Sequence, residues 1–148
     1  MPFIAIGPKV EPGSVSRVPV TGLDFFPTIA ELAGYKNPLP QSIDGGSLLP
    51  VLRNGGTGAV KRSKPFLIFH QAVARKAQSA ILAGDYKLVK TWSTNTLELF
   101  DLSQDVGEAN DLSKSKPDET KKLHTMMVDF FEEIDAETSK TTNKKNQR

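Results

Sequence analysis

The alternation of apolar and polar positions changes character along this chain. Residues 3–6 (Phe3, Ile4, Ala5, Ile6) are continuously apolar and stop at Gly7-Pro8. That is the pattern of a strand buried on both faces inside a larger sheet. Glu11-Pro12-Gly13-Ser14 reads as a turn. Thr21 and Asp24 have the spacing of a capping box with Asp in place of Glu. Asp24 is the better N-cap, because Pro27 then falls in the first turn, where no backbone donor is needed. Ile29, Leu32 and Ala33 make an apolar stripe, and Gly34 suits the left-handed position past a helix end. The pattern therefore predicts a helix over residues 25–33. Residues 35–46 read as loop, and residues 47–52 as a short helical turn ended near Asn54-Gly55-Gly56.

From residue 65 the spacing shortens. Strands are predicted at residues 65–69, 79–83, 86–92 and 96–101, joined by short turns, which makes an antiparallel meander. Tyr86, Leu88 and Lys90 share one face of the third strand. Pro117 opens a helix whose first turn carries Asp118 and Glu119, suited to the helix dipole. Leu123, Met126, Met127, Phe130 and Ile134 line one side of it. A small antiparallel sheet packed on a C-terminal helix is an α+β arrangement. Residues 139–148 form a polar, lysine-rich tail.

The 148 residues are enough for one domain with a real core. A net charge of +2, from 19 basic and 17 acidic residues, gives no push toward nucleic acid or a membrane surface. No apolar run approaches the ~20 residues of a membrane span. With no cysteine, disulfides, Cys-ligated zinc and a Cys nucleophile are ruled out, while the compartment stays open. No signal peptide is visible, and a chain opening directly in a core strand suggests an internal start.

Candidate chemistry is sparse. Gly45-Gly46-Ser47-Leu48-Leu49 begins like a nucleophile elbow but ends in Leu and follows a loop, so it reads as structural. Asp101, Asp105, Glu108 and Asp111 cluster, but their spacing is not that of an EF-hand, and Asx-type turns explain them. His124 follows Leu123 on the last helix and reads as a surface side chain. His70 ends a strand and opens a loop holding Arg75 and Lys76, and three such cations could grip an anion such as a sulfate group. The competing reading is that His70 satisfies a backbone carbonyl while Arg75 and Lys76 are solvated. No carboxylate pair or Ser/His/Asp set stands out.

Four segments, in order, resemble the C-terminal part of the sulfatase family, within the alkaline-phosphatase-like superfamily. They are Pro2-Phe3-Ile4-Ala5-Ile6-Gly7-Pro8 with Glu11-Pro12-Gly13; Leu23-Asp24-Phe25-Phe26-Pro27-Thr28-Ile29 through Leu32-Ala33-Gly34; Asp44-Gly45-Gly46-Ser47-Leu48-Leu49-Pro50; and Ser79-Ala80-Ile81 through Gly84-Asp85-Tyr86-Lys87-Leu88 to Glu98-Leu99-Phe100-Asp101-Leu102, Asp105, Gly107-Glu108 and Asn110. The chain departs from the family pattern at Val106, where Pro is usual, at Leu82-Ala83, which replaces an Arg-containing pair, and at Asp111. The resemblance implies a strand-helix remnant of the large sulfatase α/β domain over residues 1–56. It implies the C-terminal subdomain over residues 57–138, with the tail over residues 139–148.

Sulfatases of this resemblance are sulfuric ester hydrolases. They use a formylglycine made from Cys or Ser in a C/S-x-P-x-R motif, with a calcium ion on Asp/Asn oxygens. Ser63-Lys64-Pro65-Phe66-Leu67 and Ser115-Lys116-Pro117-Asp118-Glu119 both lack the Arg. No catalytic or metal residue carries over, so the chain alone is expected to be inactive, and calcium belongs to the full-length enzyme. The family implies an extracytoplasmic setting and a missing N-terminal sulfatase half as partner. Phe69-His70-Gln71-Ala72 keeps the first His of a segment whose loop lines the substrate pocket in many members. Phosphatase, phosphodiesterase and phosphoglycerate-mutase relatives share the Asp-x-x-Pro-Thr helix but not usually the meander.

Two expectations separate the readings. A sulfatase remnant leaves apolar surface exposed along residues 3–6 and 25–29. A stand-alone module for sulfated glycan binds sulfated polysaccharide through His70, Arg75 and Lys76 in a salt-sensitive way, and Arg75→Ala with Lys76→Ala abolishes it. A binding assay at low and raised salt decides the second; no binding at low salt ends it.

Overall fold

The computed structural model describes residues 3–72 and 77–138. Two compact units divide between Lys64 and Pro65. The boundary lies later than the expected 56/57, because Arg62 and Ser63 bond back to Asp24 and Asp44 of the first unit. Among the described residues no helix is long and apolar enough to cross a membrane.

In the first unit, a 3-10 turn (Gly22–Asp24) leads into α1 (Phe25–Leu32), and α2 (Leu49–Leu52) follows a long loop. The capping box forms on the 3-10 turn, where Thr21 Oγ1 accepts the N–H of Leu23 and Asp24 Oδ2 accepts the N–H of Thr21. Asp24 does not cap α1 with its side chain, as the sequence suggested. Its carboxylate is fully buried and gathers donors from separate segments instead. Arg62 donates from Nε to Oδ1 at 2.8 Å and from Nη2 to Oδ2 at 2.7 Å, and Gly46 N–H donates to Oδ1 at 3.0 Å. Thr28 extends the clamp. Its hydroxyl donates to Asp24 O at 2.6 Å and accepts Leu48 N–H at 2.9 Å.

The clamp explains Gly45 and Gly46. A Cβ on Gly45 would lie 2.0 Å from Leu23 O, and one on Gly46 would lie 2.1 Å from Lys61 O. Only glycine lets these backbones approach so closely. At the far end of α1, Gly34 takes φ +74°. Its N–H donates to Glu31 O while Tyr35 N–H donates to Ala30 O, closing the helix as a Schellman motif.

α1 is thereby turned inside out. Its buried residues are Pro27 and Thr28, while Phe25, Phe26, Ile29 and Leu32 are exposed. Residues 3–6 form no strand, contrary to the sequence pattern, and Ile4 and Ile6 are 88% and 98% exposed. A strand needs neighbours for its backbone groups, and among the described residues of this unit none pairs with it.

The second unit is a four-stranded antiparallel sheet in the order β1 (Leu67–Gln71), β2 (Gln78–Ala83), β3 (Tyr86–Thr91), β4 (Thr96–Asp101), followed by α3 (Pro117–Glu133). The α+β arrangement read from the sequence holds. β1 starts two residues later than expected, since Pro65 has no backbone donor for a ladder, and it takes in His70. The register aligns Ile81 with Leu88 and Leu88 with Leu99, so three fully buried residues run across one face. α3 covers that face with Thr120, Leu123, Met127 and Phe131, a helical spacing. Phe131 takes the place expected for Ile134, which lies past the helix end and is 53% exposed. At the outer edge of β4, Asp111 Oδ1 accepts Leu99 N–H and Leu112 N–H donates to Leu99 O, so the segment after the sheet satisfies an open edge.

Two outcomes follow from the packing. Met127→Ala removes a fully buried side chain and should cost about 2–5 kcal/mol in urea unfolding. Burial pushes the Asp24 carboxyl up, but the hydrogen bonds from Arg62, Gly46 and Thr21 outweigh it and hold the group below the ordinary aspartate value. A lowered folded pKa contributes stability above the ordinary value and loses it as pH falls through the lower one. Asp24→Asn should therefore destabilise at neutral pH by about 3–5 kcal/mol. The gap from wild type should narrow in acid below about pH 4, as denaturant melts at stepped pH would show.

Candidate functional site

The end of β1 carries the side chain that the sequence singled out. His70 pairs with Ser79 of β2, and Ser79 pairs with Lys90 of β3, so all three sit on the face that α3 covers. Ser79 is 2% exposed. Its hydroxyl lies 2.7 Å from His70 Nδ1 and accepts the indole N–H of Trp92 at 2.7 Å. His70 Nε2 lies 2.7 Å from the backbone oxygen of Glu137, beyond α3. The imidazole also packs at 4.6 Å between ring centroids on Phe131, and Trp92 closes the group at 6.2 Å from Phe131. Both ring nitrogens of His70 thus have partners inside the protein, although the residue itself stays exposed. Arg75 and Lys76, expected beside it, lie outside the described residues.

A shallow depression of about 460 Å³ opens on the opposite face of the sheet, where Gln71, Gln78, Lys87 and Glu98 alternate with the residues that face α3, and Glu108 also lines it. Among the described lining residues Lys87 is paired with Glu108 at 2.5 Å.

The acidic cluster is structural. Asp101 Oδ1 accepts Ser103 N–H, Asp105 Oδ2 accepts Asn110 N–H, and Asp111 Oδ1 accepts Leu99 and Ser113 N–H. Burial raises the Asp111 carboxyl, but these backbone donors prevail and keep it below the ordinary range. Asp105 is lowered chiefly by the backbone N–H of Asn110 and Ala109. With these oxygens committed, they do not fit a calcium ion, and among the described residues no group of three or more His, Asp or Glu could hold a metal.

The first unit offers a different kind of site. Phe3, Ile4, Val18, Leu48 and Val51 line an apolar groove of about 650 Å³, and the Phe3 ring lies 5.4 Å from that of Phe25 at the start of α1. Sequence reasoning missed the Asp24–Arg62 clamp, because thirty-eight positions separate the partners. It also missed Ser79 and Trp92. The signals for these two were a lone serine among apolar strand residues and a tryptophan whose indole N–H needs an acceptor.

Comparison with known proteins agrees with this architecture. Residues 1–137 match the family described as N-sulphoglucosamine sulphohydrolase, C-terminal. A sulfatase of Formosa agariphila is 35% identical over 120 residues, covering 73% of this chain and 21% of that protein. An N-acetylglucosamine-6-O-sulfatase of Bacteroides thetaiotaomicron is 32% identical over 118 residues, covering 76% and 21%. Among solved structures, Ps i-CgsB in complex with k-i-k-neocarrahexaose superposes with a TM-score of 0.59 at 27% identity, over 76% of this chain and 24% of that one. BT4656, solved with its substrate D-glucosamine-2-N,6-O-disulfate, shares the fold with a TM-score of 0.66 at 24% identity, over 83% and 26%. This chain spans about a fifth to a quarter of the length of these relatives. A match over nearly the whole chain, on a sheet and helix laid out as in those structures, makes this protein a member of the sulfatase family, corresponding to its C-terminal portion.

Proposed function

We infer that this chain works as the C-terminal portion of a sulfuric ester hydrolase and shapes the substrate pocket of the assembled enzyme. The formylglycine nucleophile and the calcium ligands then come from sequence outside these residues. When bound, the calcium would polarise the sulfate. A sulfated sugar is the substrate class we favour, after the N-acetylglucosamine-6-O-sulfatase of Bacteroides thetaiotaomicron.

The observation that carries this reading is the outward apolar face of α1. A helix of eight residues is too short to hold itself in water, and its apolar stripe normally turns inward. Here polar groups fix it the other way, with Phe26, Ile29 and Leu32 57–63% exposed beside the uncovered residues 3–6. Apolar surface gathered on one side of a unit suits a partner rather than solvent. The rest of a large sulfatase α/β domain would cover it.

The chain alone should bind a hydrophobic dye, and Phe26→Ser with Ile29→Ser should lower that signal while leaving the Asp24 clamp intact. Reading the DNA upstream of Met1 should give a frame with C/S-x-P-x-R. The segment carrying that motif and this chain together should release sulfate from an aryl sulfate, and neither should do so alone. Sulfate release by this chain unaided, or the absence of any such frame, would falsify the reading.

A further inference from the structure

We propose that His70 is a positioning residue, held as the neutral Nε2–H tautomer in a one-way donor chain that fastens the segment after α3 to the end of β1. It is not a ligand for the substrate's anion. This rests on the reading above for the setting in a substrate pocket, but its geometry stands on the second unit alone.

The direction of the chain follows from which groups can give a proton. An indole N–H only donates, so Trp92 gives its proton to Ser79 Oγ. A backbone carbonyl only accepts, so the 2.7 Å contact with Glu137 O places a proton on His70 Nε2. Ser79 then has one proton left, and His70 Nδ1 at 2.7 Å is positioned to accept it. In the other neutral tautomer, Nε2 and the Glu137 carbonyl would face each other as two acceptors. An imidazolium would give the Ser79 oxygen a second donor and leave its own O–H to find a new acceptor. Ser79 is 2% exposed, so water does not readily supply one.

An anion ligand needs a free N–H, and a cationic ring is the better one. In this arrangement the only imidazole proton is already given to Glu137 O. The packing of the ring on Phe131 at 4.6 Å fixes its plane. What His70 contributes is therefore the placing of two strands of chain: β1 where it ends, and the segment that returns past it after α3.

Nitrogen-15 NMR of the full chain tests this directly. The histidine side-chain correlations of His70 should show a proton-bearing Nε2 and a bare Nδ1 at neutral pH. Adding glucosamine 6-sulfate should leave both unmoved. The Trp92 indole N–H, slowly exchanging in the wild type, should lose its protection in His70→Phe, which keeps the ring but removes both nitrogens. His70→Gln, with an acceptor and a donor on one amide, should recover part of it. An Nδ1–H or doubly protonated ring, or His70 nitrogens displaced by the sulfated sugar, overturns the assignment. If the Phe variant does not fold, the wild-type tautomer still decides. None of these readouts depends on sulfate release, so the outcome is distinct from that of the assembly experiment.

Discussion

The buried carboxylate of Asp24 is the constraint on which the first unit depends. A charge with no exposure is tolerable only if its oxygens are fully used, and here a guanidinium and two backbone N–H groups use them. Those donors come from three places in the chain: the turn before α1, the Gly45-Gly46 loop and the stretch after α2, and Arg62 gives a further proton to the Pro19 carbonyl. Apolar burial alone would roll α1 the other way. The clamp prevents this, and Thr28 locks the same face through Leu48. The family pattern Asp-x-x-Pro-Thr followed by Asp-Gly-x-Ser-Leu-Leu thus has a physical meaning in this chain. It is a polar joint between a helix and a loop, with glycines where two backbones nearly touch.

The second unit is organised by the opposite rule. Its core is a row of aliphatic side chains across the sheet, covered by one helix, and no buried side-chain polar atom among the described residues lacks a partner. Its polar contacts sit at the margins. Asp111 stands in for a neighbouring strand at the edge of β4, and the Trp92–Ser79–His70–Glu137 series closes the end nearest β1. A hydrogen bond at such a margin adds only about 1 kcal/mol, but it chooses which of several nearby backbone paths is taken.

Much of this was legible in the sequence where the cause is local. The turn at Gly84-Asp85, the strands over Tyr86–Thr91 and Thr96–Asp101, and the entry to α3 at Pro117 came out as the pattern required, because turn chemistry and alternation act between near neighbours. The ordered set of motifs also carried the sulfatase resemblance, which the comparisons bear out. The reading failed where a partner lay far away. Residues 3–6 have the composition of a central strand, yet strand formation is a property of a pair. Asp24 looked like a cap because Arg62 could not be seen beside it.

The sequence by itself settled the class of the second unit, the face of α3 from Leu123 to Met127, and the family, since periodicity and motif order survive without coordinates. Tertiary structure alone decided which way α1 faces, what Asp24 and Thr28 bind, and that both nitrogens of His70 are already committed. The reason is the same in each case. An apolar period tells which residues want to leave water, while the direction of a hydrogen bond depends on a partner that chain distance hides.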